Sequence, residues 1–362
     1  MAHYRSKRDF SVTPEPGPDD AAAAAPTDGD GDPRFVVQEH HARALHWDFR
    51  LERDGVLVSW AVPKGVPPDP AVNHLAVPTE DHPLSYIDFE GDIPPGNYGA
   101  GHVSIWDHGT YECEKWGPAE VMVVLHGQRV DGRYVLFRTG APTGSRPGSW
   151  MIHRMDPPQD PDRRPLPGAV EPMMATPGQL PEAGGEADQA WAYEVRWAGQ
   201  RVLAWSDGGR ILLRDDRGVD VTAKWPEVRG LGPALGARQV VLDGIVAVLD
   251  ADGRPDGEAV DRRLGLEKPK PTPPATYLVF DLVHLDGYDL SAEPYRERRR
   301  QLAELGLSSA AWAAPAHHEG DGAAFAEVVG SRGLSGVVAK RLDGHYRPGP
   351  SLDWVEVRAE KE

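Results

Sequence analysis

The chain has 362 residues, 40% hydrophobic and 26% charged, with a formal net charge of −17 and a mean hydropathy of −0.49. That length gives room for two domains of ordinary size, and no run of about 18 apolar residues is present to span a membrane. A single cysteine, Cys113, excludes an intrachain disulfide or a cysteine-rich zinc site.

In chain order, residues 1–33 read as an N-terminal arm and a tether. The arm is charged and lacks the apolar block of a secretory signal, so a cytoplasmic, nucleoid-associated location is expected. The tether, "PGPDDAAAAAPTDGDGDP", is too poor in apolar residues to order itself. Residues 34–156 alternate apolar and polar positions in short runs such as "GVLVSWAVPKG", "HLAVPTEDHP", "GHVSIWDHGTYE" and "GRYVLFRT". Period two broken by turn residues predicts an all-β barrel or sandwich. A Pro-rich linker, residues 157–171, is expected to be extended or disordered. From 172 to 362 the pattern changes. Strands are predicted at "AYEVRWAG", "RVLAWSDGGRILLRD", "QVVLDGIVAVLD", "TYLVFDLVHLDG", "SGVVAKR" and "DWVEVR", and helices at "YRERRRQLAELGL" and near "GAAFAEVVGSRG". This predicts an α+β unit.

The stretch "EHHARALHWDFRLERDG", residues 39–55, carries the first chemistry. Read as a strand, it puts Leu45, Trp47, Phe49 and Leu51 on one face and His46, Asp48 and Arg50 on the other. Asp54-Gly55 is a hairpin-turn signal. His46 and Asp48 are then close enough to share one ion, with His40 or His41 as a third ligand. Two histidines and a carboxylate suit Mn, Fe or Zn and leave coordination positions open. Arg50 offers a planar fork to an anion beside that ion. The competing reading is a solvated strand face with a histidine–aspartate hydrogen bond, so the residues alone leave the metal and the reaction open. A net charge of −17 argues against a general nucleic-acid binder and is compatible with a local basic groove.

"YRSKRDFSVTPEP", "LHWDFRLE", "SWAVPKGVP" and "EDHPLSYIDFEGDIPPGNYGAGHVSIWDHG" together resemble the 3′-phosphoesterase domain of the bacterial end-joining LigD family, over nearly all of residues 4–156. The resemblance implies a β-barrel that uses Mn, or another divalent ion such as Zn or Co, to remove a 3′-terminal ribonucleoside and then a 3′-phosphate from a DNA primer end. It implies His40, His46 and Asp48 as metal ligands, with His41 a neighbour. Arg50 and His82 would act on the phosphate, and His82 would stabilise the pentavalent phosphorus or protonate a leaving oxygen. Asp9 and Glu15 match acidic residues of an arm that supports the ribonuclease step, and Lys64 and Tyr86 match groove residues that touch substrate. The plainer alternatives are surface charges for Asp9 and Glu15, a turn residue for Lys64 and a core ring for Tyr86. His74 stands where the family usually has an arginine. Histidine has no bidentate fork and is charged only near or below its reference pKa of about 6.5, so a weaker, pH-sensitive phosphate grip is expected.

Residues 172–362 resemble the nucleotidyltransferase domain of ATP-dependent DNA ligases in "PMMATPGQLP", "YEVRWAGQR", "YLVFDLVHLDG" and "SGVVAKRLDGHYRPGPSLDWVEVR". The position of the family's nucleophilic lysine is Arg196, which cannot lose a proton to attack ATP. Ala198, Ile245, Ser335 and Glu356 replace an aspartate, two glutamates and a phosphate-contacting lysine, while Lys340 and Arg214 persist. A degenerate, catalytically silent ligase domain without an OB-fold or covalent adenylate is therefore expected. The expected function is 3′-end healing in double-strand-break repair, with DNA ends as substrate, Ku and separate repair polymerases or ligases as partners, and no membrane. The alternatives are a non-catalytic DNA-end scaffold and an active ATP-dependent ligase.

Overall fold

The computed structural model describes residues 4, 10, 13–17, 32–140, 149–265 and 273–359. The chain divides into two compact units, Met1–Arg163 and Arg164–Glu362. The tether from 18 to 31 and Asp9 lie outside the described residues.

The first unit contains β1 (Arg34–His41), β2 (Leu45–Arg53), β3 (Val56–Val62), β4 (Asn73–Pro78), β5 (His82–Pro83), β6 (Gly91–Ile93), β7 (Gly101–Trp116), β8 (Glu120–Gly127), β9 (Asp131–Arg138) and β10 (Trp150–Arg154). Eight of these pair antiparallel in the order β1-β2-β3-β4-β10-β9-β8-β7, and β7 pairs back onto β1. Of the two all-β forms expected, the structure is the closed barrel, which leaves no exposed sheet edge along that path. The predicted turn is present: Asp54 (φ 49°) and Gly55 (φ 80°) join Arg53 to its cross-strand partner Val56.

The alternation expected for β2 holds, but neither of its faces is solvated. Phe49 and Trp60 point into the barrel, where Trp60 lies 6.5 Å from Trp116 on β7, a strand that is not its neighbour. The outer face carries Val36, Gln38 and His40 on β1, His46, Asp48 and Arg50 on β2, and Leu57 and Ser59 on β3. A second layer covers part of it. Leu84, Tyr86, Ile87, Phe89 and Ile93, with Tyr4 from the arm, form one apolar cluster with Val36, Leu57 and Val103. Polar groups on that wall therefore need protein partners.

The second unit contains β11 (Met173–Pro177), β12 (Trp191–Val195), β13 (Gln200–Asp207), β14 (Arg210–Asp215), β15 (Val240–Val248), β16 (Ala275–Leu285), β17 (Tyr288–Asp289), β18 (Trp312–Ala313), β19 (His318–Glu319), β20 (Gly336–Arg341) and β21 (Gly349–Arg358). They build two mixed sheets, β11-β21-β20-β12-β19 and β14-β13-β15-β16-β17, the latter with β18 parallel to β16. The predicted helices run over Tyr295–Glu304 and Gly322–Ser331. Residues 164–170, read from sequence as linker, pack onto this unit. Leu166 and Val170 lie against the Trp205 cluster, and Trp205 Nε1 donates to Pro167 O at 2.8 Å. Apolar side chains at 166 and 170 and a free proline carbonyl give a Pro-rich segment something to bury and an acceptor to offer. Among the described residues no helix is long and apolar enough to cross a membrane.

Candidate active site

The β1–β2 hairpin sets the geometry. His40 is directly opposite His46, and Gln38 opposite Asp48, so all four share the outer face. The ring centroids of His40 and His46 are 4.7 Å apart. His40 Nδ1 lies 3.5 Å from Asp48 Oδ2, and His46 Nε2 lies 3.8 Å from Asp48 Oδ1. The three ligand atoms all fall within 4.8 Å of one another. Donors bound to one ion at roughly 2.1 Å stand about 3 to 4 Å apart, so this spacing suits a shared divalent cation after a small closure.

Two backbone carbonyls orient the imidazoles. His40 Nε2 is 2.8 Å from Gly99 O, and His46 Nδ1 is 3.0 Å from Ala44 O. A carbonyl can only accept, so each of these nitrogens carries the ring hydrogen. The lone pair is thereby left on His40 Nδ1 and His46 Nε2, the atoms that face Asp48. Burial raises the Asp48 pKa, but the Arg50 guanidinium beside it outweighs this and holds the carboxyl well below the usual carboxylate range. Two neutral imidazoles and one carboxylate is a donor set that fits Mn, Fe or Zn.

Arg50 organises the next layer. It is 2% exposed. Its Nε donates to Gln38 Oε1 at 2.7 Å, Nη1 to Ser59 Oγ at 3.0 Å and Nη2 to Asp48 Oδ2 at 2.9 Å. Nη1 also lies 2.9 Å from His82 Nδ1. Among the described residues, four of its five N–H groups face protein partners, and the second Nη2 hydrogen has none. His82 Nδ1 is also 2.8 Å from Glu80 O. These neighbours ask for opposite tautomers, since Arg50 donates and Glu80 O accepts. Beside them, the Tyr86 hydroxyl donates to Glu15 Oε1 at 3.2 Å, and Thr13 Oγ1 donates to Glu15 Oε2 at 2.9 Å. Burial pushes the Tyr86 phenol well above its ordinary value and keeps it a donor.

In the second unit, Arg196 at the end of β12 forms an ion pair, Nε to Glu356 Oε1 at 2.9 Å, and Nη1 donates to Ser335 Oγ at 3.3 Å. The Ser335 hydroxyl donates back to Arg196 O at 2.6 Å. Burial raises the Glu356 pKa, but hydrogen bonds from Arg358 and Arg196 outweigh it and keep the group ionised. Ala198 is half-buried, and Ile245 packs on the cluster around Phe280 and Trp354. Lys340, fully enclosed, pairs with Glu194 at 2.8 Å and sits over the Phe280 and Trp354 rings at 4.2 and 4.3 Å. Arg214 lies over the Trp205 ring.

Residues 38–138 match the family described as the DNA Ligase D 3′-phosphoesterase domain, and residues 172–357 match the ATP dependent DNA ligase domain. The chain belongs to the ATP dependent DNA ligase domain family. Its similarity to the multifunctional non-homologous end joining protein LigD of Mycobacterium bovis is 45% identity over 361 residues, covering 98% of this chain and 45% of that protein. For the Pseudomonas aeruginosa LigD the values are 34% over 407 residues, 99% and 47%. The chain therefore spans about half the length of these ligase D relatives. The crystal structure of the M. tuberculosis LigD ligase domain is 34% identical over 52% of this chain and 59% of its own, with a TM-score of 0.46.

Within the first unit, the structure brings His40, His46, Asp48, Arg50, His82, Tyr86 and Glu15 into one cluster. His41 is on the opposite face and pairs with Glu39 at 2.7 Å. Lys64 is exposed in the turn after β3. His74 is not brought to the cluster: Val77 is opposite Ala61, and Ala61 opposite Asp48, so alternation turns His74 to the inward face. There its Nδ1 is 2.7 Å from Gly65 O. Gln38 and Ser59 were missed as site residues. Their signal is parity: Gln38 is two before His40, and Ser59 is a lone hydroxyl between the apolar Val58 and Trp60.

Proposed function

We propose that the barrel removes 3′-phosphates and 3′-terminal ribonucleosides from DNA ends, leaving a 3′-hydroxyl, in double-strand-break repair by end joining. The observation that carries this is the convergence of His40 Nδ1, His46 Nε2 and an Asp48 oxygen, each imidazole tautomer set by a carbonyl behind it. Mn is the proposed ion, with Zn or Co as substitutes. When bound, such an ion supplies an acidified water and charge screening at the phosphate. The chain's own groups do the rest. Arg50 holds Asp48 ionised and directs its remaining Nη2 hydrogen at a phosphate oxygen. His82, accepting at Nδ1 from Arg50, carries its one ring hydrogen on Nε2 and offers it as a hydrogen bond to a phosphoryl oxygen, stabilising the pentavalent phosphorus. Glu15, fixed by Tyr86, supports the ribonuclease step together with Asp9, and Lys64 and Tyr86 contact the substrate strand.

The test is release of inorganic phosphate from a 3′-phosphate primer-template with Mn. Wild type should convert it to a 3′-hydroxyl, and His46→Ala should slow the reaction by at least about 100-fold. No product from wild type would favour a second reading, a DNA-end scaffold, which the heavy engagement of Arg50 by protein partners supports.

The ligase unit is proposed to be catalytically silent. Arg196 stays protonated, and its pairing with Glu356 sets an acid where ATP phosphates would need a cation. Radiolabel from ATP should not transfer to the protein, and Arg196→Lys alone should not restore transfer, because Ala198, Ile245, Ser335 and Glu356 remain. Labelled wild-type protein would make this unit an active adenylating domain. The proposed partners are DNA ends, Ku and separately encoded polymerase or ligase proteins.

A further inference from the structure

A second pair of histidines lies at the same hairpin end, on the face opposite the candidate active site. His41, the last residue of β1, stands directly across from His102 on β7, and His102 directly across from Asp92 on β6. Residues opposite one another in an antiparallel pair share a face, with Cβ atoms about 5 Å apart, so three strands present His41, His102 and Asp92 as one row. Glu39, two residues before His41, lies on the same face. Each imidazole is held at one nitrogen by a carboxylate: His41 Nε2 is 2.7 Å from Glu39 Oε1, and His102 Nδ1 is 2.9 Å from Asp92 Oδ1. An ionised carboxylate only accepts, so in the neutral rings these nitrogens carry the hydrogen and the lone pairs lie on His41 Nδ1 and His102 Nε2. Neither lone pair has a partner among the described residues. The two side chains are 37% and 55% exposed, which leaves them open to an ion from solvent.

We propose that His41 and His102 form a second metal site, which takes a borderline divalent ion of the Zn class, with Glu39 and Asp92 behind the imidazoles and water completing the coordination. A carboxylate behind a ligand imidazole fixes its tautomer and raises its basicity. Among the described residues, the one trio of donors within 4.8 Å of one another is His40, His46 and Asp48, so the new site has two protein ligands. Imidazoles without a direct carboxylate select Zn, Ni or Cu over Mn, which stands lowest in the affinity series. The bound ion clips the end of β1 to β7 next to His40.

The experiment is calorimetric titration of the full chain with Zn, comparing wild type, His102→Ala, His46→Ala, His46→Ala/Asp92→Ala and His46→Ala/His102→Ala. Wild type should take up one equivalent more than His102→Ala. The ion still bound by His46→Ala should be lost in His46→Ala/His102→Ala, and His46→Ala/Asp92→Ala should bind it about 10-fold more weakly. In His46→Ala, which leaves the new site unaltered, Zn should move the ring NMR signals of His41 and His102. Zn at about 100 times its Kd should also raise the barrel melting temperature of that variant by about 5 °C or more. The proposal is overturned if His46→Ala takes up no Zn, if His102→Ala binds as many ions as wild type, if the loss of Asp92 leaves the affinity unchanged, or if Zn leaves the His41 and His102 signals or the melting temperature unmoved. None of these measurements depends on phosphate release, so the site stands or falls apart from the phosphoesterase reading.

Discussion

Asp48 concentrates the chemistry of the barrel, and its ionisation is linked to folding. Its folded pKa lies below the unfolded value of about 3.9. The ionised carboxylate therefore stabilises the fold above that pH, and the contribution is lost as falling pH titrates the folded group. In metal-free protein, Asp48→Asn should be less stable at neutral pH, because Arg50 loses its one carboxylate partner among the described residues. Its urea midpoint should also fall less than that of wild type between about pH 5 and about pH 2. An identical acid dependence would show that Asp48 is not the linked group. Arg50 teaches the complementary lesson. Its fork suggested an anion contact, yet most of its hydrogens serve Gln38, Ser59, His82 and Asp48, because a guanidinium under a second layer must be satisfied by protein.

At the level of elements, the site depends on how closely β7 approaches β1. Gly101 (φ 148°) lies opposite Ile93 on β6, and a Cβ there would stand 2.3 Å from His41 O and 2.9 Å from Ala42 Cα. Backbone cannot yield as a flexible side chain can, so Gly101→Ala should cost about 2 kcal/mol or more. It would also displace the hairpin end that carries His40. The check is a lower melting temperature for the barrel together with weaker Mn activation. A melting temperature within about 1 °C of wild type would mean the strands part easily there. The same pairing logic explains His74. The residues near it resemble a family motif, but its direction is fixed by the register of β4 on β3.

For the whole molecule, the net charge of −17 sets the expected mode of DNA contact. An acidic body that grips only a strand end should neutralise few phosphates. If about three are contacted, raising salt from about 50 to about 200 mM should weaken end binding roughly 40-fold, against 1,000-fold or more for six or more contacts. The measurement is the salt slope of KM or of Kd for a catalytically dead variant. A slope typical of a broad basic surface would place DNA on more of the chain than this barrel wall.

Much of this was legible in sequence because alternation and turn chemistry are local. Strand β2, its Asp54-Gly55 turn and the shared face of His46, Asp48 and Arg50 follow from residue order and side-chain chemistry alone. Tertiary structure decided what distance along the chain conceals. It closed the sheet into a barrel, buried the outer wall under residues 84–93 and Tyr4, and brought the carbonyl of Gly99 to the His40 imidazole. It also turned His74 inward and folded residues 164–170 onto the second unit. The reason is physical: every residue has the same carbonyl, so side-chain identity cannot announce which backbone oxygen will arrive behind a histidine, and only packing selects it.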